Sequence, residues 1–210
     1  MDAPADLLVI EAATEACSVG LFTDGALVAG DWRMLGRGHA EALVPMIATL
    51  PGKGRARRIA VGLGPGSFTG VRIGLAAARA LGLAWGAEVS GYPTLALIAA
   101  MTRAQAGAQP VLVATTGGHG EWFIAGYDAA GGEARPLASL APDAATQVDG
   151  PLVAGSQAEA LVARRGHGTA LALWPDARAF PALGVAALGA DLAPIYGRGP
   201  DAKLPAGAAA

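Results

Sequence analysis

The sequence of 210 residues predicts an α/β fold with two lobes. Three observations lead to this prediction. Three short apolar runs at the start are typical of an antiparallel meander, strands and helices then alternate, and a reduced form of this pattern begins again after residue 107. We therefore place the first lobe at residues 1–106, the second and smaller lobe at 107–204, and a disordered tail at 205–210.

The first lobe begins with the predicted meander. Residues 7–10 form an apolar run suited to a buried strand, and residues 17–22 and 27–32 read as two further strands. Asp24-Gly25 between the last two is a two-residue hairpin signal, because both residues adopt positive φ more readily than others do. The first three strands are therefore expected to be antiparallel neighbours.

Helices and strands alternate in the rest of the chain. A helix is predicted at 39–50, where Leu43, Met46, Ile47 and Leu50 share one face before Pro51-Gly52 ends it. The remaining predicted elements of the first lobe are a strand at 58–62, a helix at 71–85, a strand at 88–92 and a helix at 94–105. Those of the second lobe are strands at 110–114, 121–127 and 151–156 and helices at 157–164 and 181–192.

A glycine-rich loop at 64–70 joins the strand at 58–62 to the helix at 71–85. A loop of this kind directs backbone N–H groups and the positive end of a helix toward an anion, although no Walker pattern or GxGxxG pattern is present. The nucleotide-binding interpretation assigns the loop residues Gly64, Gly66, Ser67, Thr69 and Gly70. The competing interpretation is a tight turn, capped by Ser67 or Thr69, that positions the helix against a partner.

The composition limits the class of protein. The chain is 53% hydrophobic and 15% charged, but charges and glycines interrupt every apolar stretch before it could span a membrane. A single cysteine, Cys17, excludes an internal disulfide and, with no basic leader, favours the cytoplasm. The net charge of -2 argues against a protein that binds nucleic acid through its overall field.

Residues 53–58 are the local exception, with Lys53, Arg55, Arg57 and Arg58 among six residues. The favoured interpretation of this run is a solvated linker before a strand. Contact with RNA, which would depend on salt concentration, is the alternative.

Four blocks of this sequence resemble the TsaB (YeaZ) family. They are LVIEAATEACSV at 8–19, GRGHAE at 36–41, GPGSFTGVRIG at 64–74 and YGRGPDAKLP at 196–205. The resemblance implies a two-lobed actin-like, ribonuclease-H-like (ASKHA) fold. It also implies a role in making N6-threonylcarbamoyladenosine at position 37 of tRNAs that read codons beginning with A.

The resemblance also implies partners. In that family the related TsaD protein carries the transfer chemistry, TsaB-like chains bind it as non-catalytic subunits or pair as homodimers, and the ATPase TsaE joins the complex. ATP and metal are then expected on the partner proteins, with no cofactor required by this chain and only indirect contact with tRNA. The helices at 39–50 and 71–85 would provide the interface, through Glu41, Leu43, Met46, Val71, Leu75 and Arg79.

Departures from the family and from TsaD support a non-catalytic subunit. Thr94 and Ile98 stand where TsaD-like enzymes have a metal-binding histidine pair, so we predict no metal site. Glu11-Ala12 replaces the usual Asp-Thr of the first strand, and Thr116 and Gly118 replace an Asp and an Arg of the second lobe. The rival class is a phosphotransferase or ATPase that uses the 64–70 loop. A metallopeptidase is less favoured, and an RNA-binding module that uses residues 53–58 is a third alternative.

Overall fold

Two five-stranded sheets form the framework of the computed structural model, which describes residues 5–197. The first sheet has the order β3-β2-β1-β4-β5. Its strands are β1 (Ala5–Glu11), β2 (Ala16–Thr23), β3 (Ala26–Met34), β4 (Ala56–Gly62) and β5 (Glu88–Tyr92). Three helices accompany it: α1 (His39–Thr49), α2 (Phe68–Trp85) and α3 (Thr94–Ala106).

The first three strands form the predicted meander. Val9 of β1 lies opposite Gly20 of β2 in an antiparallel pair and opposite Ala60 of β4 in a parallel pair. The hairpin between β2 and β3 turns at Asp24 and Gly25, whose φ angles are 51° and 74°. Positive φ at both positions is what a two-residue hairpin of this type requires, so the sequence signal and the structure agree.

The second sheet repeats the topology of the first. Its strands are β6 (Val111–Thr116), β7 (Trp122–Tyr127), β8 (Glu133–Leu140), β9 (Leu152–Ala154) and β10 (Thr169–Leu171), in the order β10-β9-β6-β7-β8. In both sheets an antiparallel meander of three strands continues into two parallel strands. The helices of this lobe are α4 (Pro142–Ala145) and α5 (Ala158–Arg165). The repeat confirms the predicted two-lobed actin-like fold.

Helix α3 lies between the two lobes and is buried on two sides. Leu95, Ile98 and Ala99 belong to the core of the second lobe, together with Val113 of β6. Leu97 and Met101 belong to a second cluster that covers the outer side of the first sheet. A helix that is apolar around most of its circumference is typical of such a position.

The C-terminal part of the chain differs from its prediction. The helix expected at 181–192 is wrong: short 3₁₀ segments occupy Ala177–Ala182 and Val185–Ala187, because Pro181 and the positive φ of 80° at Gly184 interrupt helical bonding. Residues 172–197 also leave the second lobe, since Phe180 packs in the cluster beneath the first sheet and the Ile195 N–H donates to the Leu63 carbonyl.

Strands β8 and β10 and helix α4 were not predicted from the sequence. No helix among residues 5–197 combines the length and the apolar character that crossing a bilayer requires. The tail predicted at 205–210 lies outside the described residues.

Candidate functional site

The 64–70 loop lies directly on the turn that follows β1. A Cβ atom at Gly66 would collide with the carbonyl oxygen of Ala13, and one at Gly70 would collide with the carbonyl oxygen of Ala12. The Ser67 N–H donates to the Ala13 carbonyl at 2.6 Å. Glycine is needed at these two positions because backbone packs on backbone there.

Several N–H donors of the loop are already bonded within the chain. Besides Ser67, the Gly64 N–H donates to Thr94 Oγ1 at 3.2 Å, and the Gly70 N–H donates to Ser67 Oγ at 3.2 Å. Ser67 is thus the N-cap of α2, which begins at Phe68, three residues earlier than predicted. Thr69 is exposed in the first turn of this helix. These bonds hold α2 in place and remove three donors that a phosphate group would need.

Glu11 is fully buried where β1 ends. Its carboxylate accepts hydrogen bonds from the Ala13 N–H at 2.8 Å and from the Thr94 hydroxyl at 3.0 Å. Gly62 of β4 leaves room for it, since a Cβ atom there would collide with the carboxylate. Burial raises the pKa of Glu11 to about 7, because the hydrogen bonds from Ala13 and Thr94 offset only part of the loss of hydration. The acid at this strand end is therefore an internal group and not a solvent-facing ligand.

The positions that correspond to a metal-binding pair have other roles. Thr94 bridges Glu11 and Gly64, and Ile98 is buried in the core of the second lobe. His39, at the start of α1, places Nε2 at 2.9 Å from the Thr14 carbonyl oxygen. Within residues 5–197 no group of three or more His, Cys, Asp or Glu side chains is arranged to hold a metal ion.

The second-lobe positions of interest form a polar cluster. The Thr116 N–H donates to Ser156 Oγ at 3.0 Å, and the Gln157 amide donates to Thr116 Oγ1 at 3.0 Å. Gly118 lies in the short 3₁₀ turn between β6 and β7. The hydroxyl of Thr116 is thus engaged by neighbours from the start of α5.

Four of the six predicted interface residues lie inside the first lobe. Leu43 and Met46 of α1 are 0% exposed, and Val71 and Leu75 of α2 are 2% and 3% exposed. All four pack in the core between these helices and the first sheet. This corrects the prediction that their side chains contact a partner, because the strongest apolar stripe of each helix faces its own sheet.

The other two predicted interface residues are exposed. Glu41 lies in the first turn of α1, and the Arg79 guanidinium on α2 donates to the Leu192 carbonyl at 3.2 Å. The sequence analysis missed the apolar side chains that do reach the surface of these helices. Val44 is 55% exposed, Phe68 55% and Leu83 89%. We call the exposed sides of these two neighbouring helices, with these three side chains, the α1–α2 face.

A stacked group at one end of the α1–α2 face connects α2 to the C-terminal segment. The guanidinium carbon of Arg72 lies 3.4 Å from the ring centroid of Phe68. Arg72 also donates to the Tyr196 hydroxyl from Nη2 at 3.1 Å and from Nε at 3.3 Å. The Phe68 and Tyr196 ring centroids are 5.5 Å apart. Arg72 therefore orders both exposed aromatic rings.

Comparisons with known proteins indicate the family of this chain. A family model described as TsaD, tRNA N6-adenosine threonylcarbamoyltransferase, matches residues 33–191. The tRNA threonylcarbamoyladenosine biosynthesis protein TsaB of Escherichia coli is 41% identical over 131 aligned residues, with coverage of 58% of this chain and 54% of that protein. The matched segment thus spans about half the length of that curated relative.

Two further relatives match over most of their length. An uncharacterized protein of Mycobacterium bovis is 34% identical over 94% of this chain and 93% of its own. The solved structure of YeaZ from Pseudomonas aeruginosa is 28% identical, with a TM-score of 0.72 and coverage of 85% of this chain and 90% of that chain. With the sequence blocks and the fold, these matches establish that the chain belongs to the TsaB/YeaZ family.

Proposed function

We propose that this chain is a non-catalytic subunit in tRNA threonylcarbamoyladenosine biosynthesis and that it docks on a TsaD protein through the α1–α2 face. The exposure of Val44, Phe68 and Leu83 on two adjacent helices is the observation that carries this proposal. Large apolar side chains exposed on neighbouring elements are candidates for a protein interface. The names of the TsaB relative and of the matching TsaD family support the pathway.

The interior of the first lobe supports the non-catalytic part of the proposal. The donors of the 64–70 loop bind the chain's own backbone and side chains, and Glu11 is enclosed with Thr94. A group that acts on a substrate must be reachable by it. The remaining role for this chain is contact with a partner through its surface, which fits a subunit that supports the chemistry of that partner.

Size and symmetry are compatible with either of two pairings. A specific interface of standard size buries about 1,600 Å² in total, or about 800 Å² on each partner. Two exposed helical sides of a small lobe can provide such an area. The same surface could pair two copies around a two-fold axis, so the homodimer would compete with the TsaD complex.

The test is co-expression with the TsaD protein of the same organism, followed by size-exclusion chromatography with light scattering. We expect the mass of a mixed complex for the wild type and its loss in the Val44→Glu and Leu83→Glu variants. A charge forced against an apolar partner surface would have to be desolvated without a counter-ion. Both side chains are exposed, so these variants should keep the fold, which far-UV circular dichroism checks.

Val185→Glu is the matched control. Val185 is 58% exposed, close to the 55% of Val44, and lies outside α1 and α2. It should leave complex formation unchanged. A wild-type chain that stays apart from TsaD at micromolar concentration, with and without nucleotide and TsaE, would contradict the proposal. Stoichiometric ATP binding and turnover by the isolated chain would instead favour the phosphotransferase or ATPase alternative.

A further inference from the structure

One strongly charged surface has no role in the proposed docking. Lys53, Arg55, Arg57 and Arg58 are all exposed and lie within six residues of sequence. None of their side chains forms an ion pair or a hydrogen bond with another residue between 5 and 197. We call these four side chains the basic edge.

The basic edge is built on ordered backbone. Lys53 lies in the 3₁₀ turn Pro51–Gly54, with a φ of 57°. The turn is packed against α1, since a Cβ atom at Gly54 would come within 2.7 Å of Ile47 Cγ2. Arg57 and Arg58 belong to β4, which pairs with β1 on one side and β5 on the other. Neighbouring residues of a strand point to opposite faces of a sheet, so Arg57 and Arg58 lie on the two faces of the sheet where β4 begins. The charges are therefore displayed at this edge from a fixed frame and not from a flexible linker.

Two acids lie near the basic edge, but among residues 5–197 neither forms an ion pair with its side chains. Glu88 lies opposite Arg58 in the parallel register, but the two form no ion pair. Asp6 on the adjacent strand accepts a hydrogen bond from the Asp24 N–H. The four cations lie in a chain segment that is at most about 18 Å long, so they repel one another. The chain keeps this cluster although its overall net charge is -2.

The basic edge is next to the proposed docking surface. Helix α1 ends at Thr49, four residues before Lys53, and the 3₁₀ turn packs on it. Helix α2 ends at Trp85, just before the strand β5 that begins opposite Arg58. The highly exposed Leu83 is in that last turn. A polyanion held by a protein docked on the α1–α2 face would thus reach the basic edge.

We infer that the basic edge contacts the phosphate backbone of tRNA directly while this chain is docked on its partner. This inference rests on the proposed function, and it adds a substrate contact to a subunit that the family resemblance places in indirect contact with tRNA. Spaced, unpaired lysine and arginine side chains bind phosphates without reading the base sequence. The contact should position the tRNA and contribute affinity that falls with salt.

The measurement is the binding of unmodified tRNA to the co-purified TsaD complex, by fluorescence anisotropy across a series of KCl concentrations. Four phosphate contacts contribute about 3 to 3.6 to the slope of log affinity against log salt. We expect Arg57→Gln with Arg58→Gln to lower the magnitude of that slope by about 1.4 to 1.8, with the complex mass unchanged. The control is Arg135→Gln with Arg164→Gln, which removes two exposed cations from the second lobe and should not change the slope. Because Arg164 pairs with Asp143, circular dichroism checks the fold of this control.

Each other result overturns the inference. Equal slopes and affinities for the wild type and both double variants would show that the basic edge does not bind tRNA, while the docking proposal stands. Loss of the complex in the Arg57 and Arg58 variant alone would assign the basic edge to the protein partner. If the wild type forms no complex, the docking proposal fails. The same titration on the isolated chain then decides, and absence of salt-dependent tRNA binding refutes the inference.

Discussion

Glu11 makes the stability of this protein depend on pH in an unusual direction. Burial raises the pKa of its carboxyl from 4.5 to about 7 in the folded chain. At a pH between these two pKa values, the unfolded chain has released the Glu11 proton that the folded chain still holds. Stability rises with pH where the unfolded state binds more protons, so here it falls as pH rises. This contribution is fully present below pH 4.5 and is lost above pH 7.

The size of the effect follows from the difference between the two pKa values. Each unit corresponds to about 1.4 kcal/mol, so the free energy of unfolding should fall by about 3 kcal/mol from this group alone. Glu11→Gln removes the titration. Its amide can still accept from the Ala13 N–H and donate to Thr94 Oγ1.

Urea unfolding at pH 5, 6, 7 and 8 on the wild type and on Glu11→Gln measures the effect. The difference between the two free energies of unfolding cancels the titration of all other groups. Over this pH range we expect that difference to move by about 2.5 kcal/mol in favour of the variant as pH rises, with most of the change between pH 5 and 7. A difference that is constant across the range, or one that moves toward the wild type, would refute a buried carboxyl with a raised pKa.

Three further changes test the interior. Gly66→Ala should lower the melting temperature sharply, because the added Cβ atom collides with the Ala13 carbonyl oxygen. Thermal unfolding followed by circular dichroism measures this. A melting temperature equal to that of the wild type would show that the loop does not pack on the turn. Leu43→Ala should cost about 2 to 5 kcal/mol in urea unfolding, as truncation of a fully buried leucine does, whereas a cost near zero would mean that this side chain is exposed after all. Burial, with a smaller effect from Glu11, raises the pKa of the Cys17 thiol to about 12. A thiol reagent at pH 8 should therefore label Cys17 only after unfolding. Rapid labelling of the native protein would contradict the position of Cys17 in the core.

The sequence predicted the first lobe more accurately than the second. The hairpin at Asp24-Gly25 and the loop before α2 depend on local backbone chemistry that the residues themselves specify. Strand β8 gave no such signal, because its side chains are exposed or only partly buried and Pro136 lies within it. The apolar residues at 181–192 suggested a helix, but this segment is 3₁₀ turns and irregular chain, from which Leu183 and Leu188 pack in the cluster on the outer side of the first sheet.

The surface of the helices shows what a single sequence leaves open. Leu43 and Val44 are adjacent apolar residues of α1, one fully buried and one 55% exposed. When a helix has two apolar stripes, its sequence does not reveal which stripe faces its own sheet. The spacing of Ala40, Val44 and Ala48, at intervals of four, was the available signal for the exposed stripe. The contact of Arg72 with Tyr196 joins residues 124 positions apart, and no local pattern could have predicted it.

Helix α3 packs in the cores on both of its sides, and this limits how far the two lobes can move apart. Leu95 and Ile98 point into one core and Leu97 into the other, so separating the lobes would strip at least one set of side chains of its packing. Exposing Leu95 and Ile98 alone would cost about 3 to 6 kcal/mol, a large part of the whole stability of an ordinary domain. Opening the two lobes relative to each other is therefore unfavourable, and they should unfold in one cooperative transition. The two lobes should therefore move as one body, which keeps the α1–α2 face in one geometry relative to the second lobe.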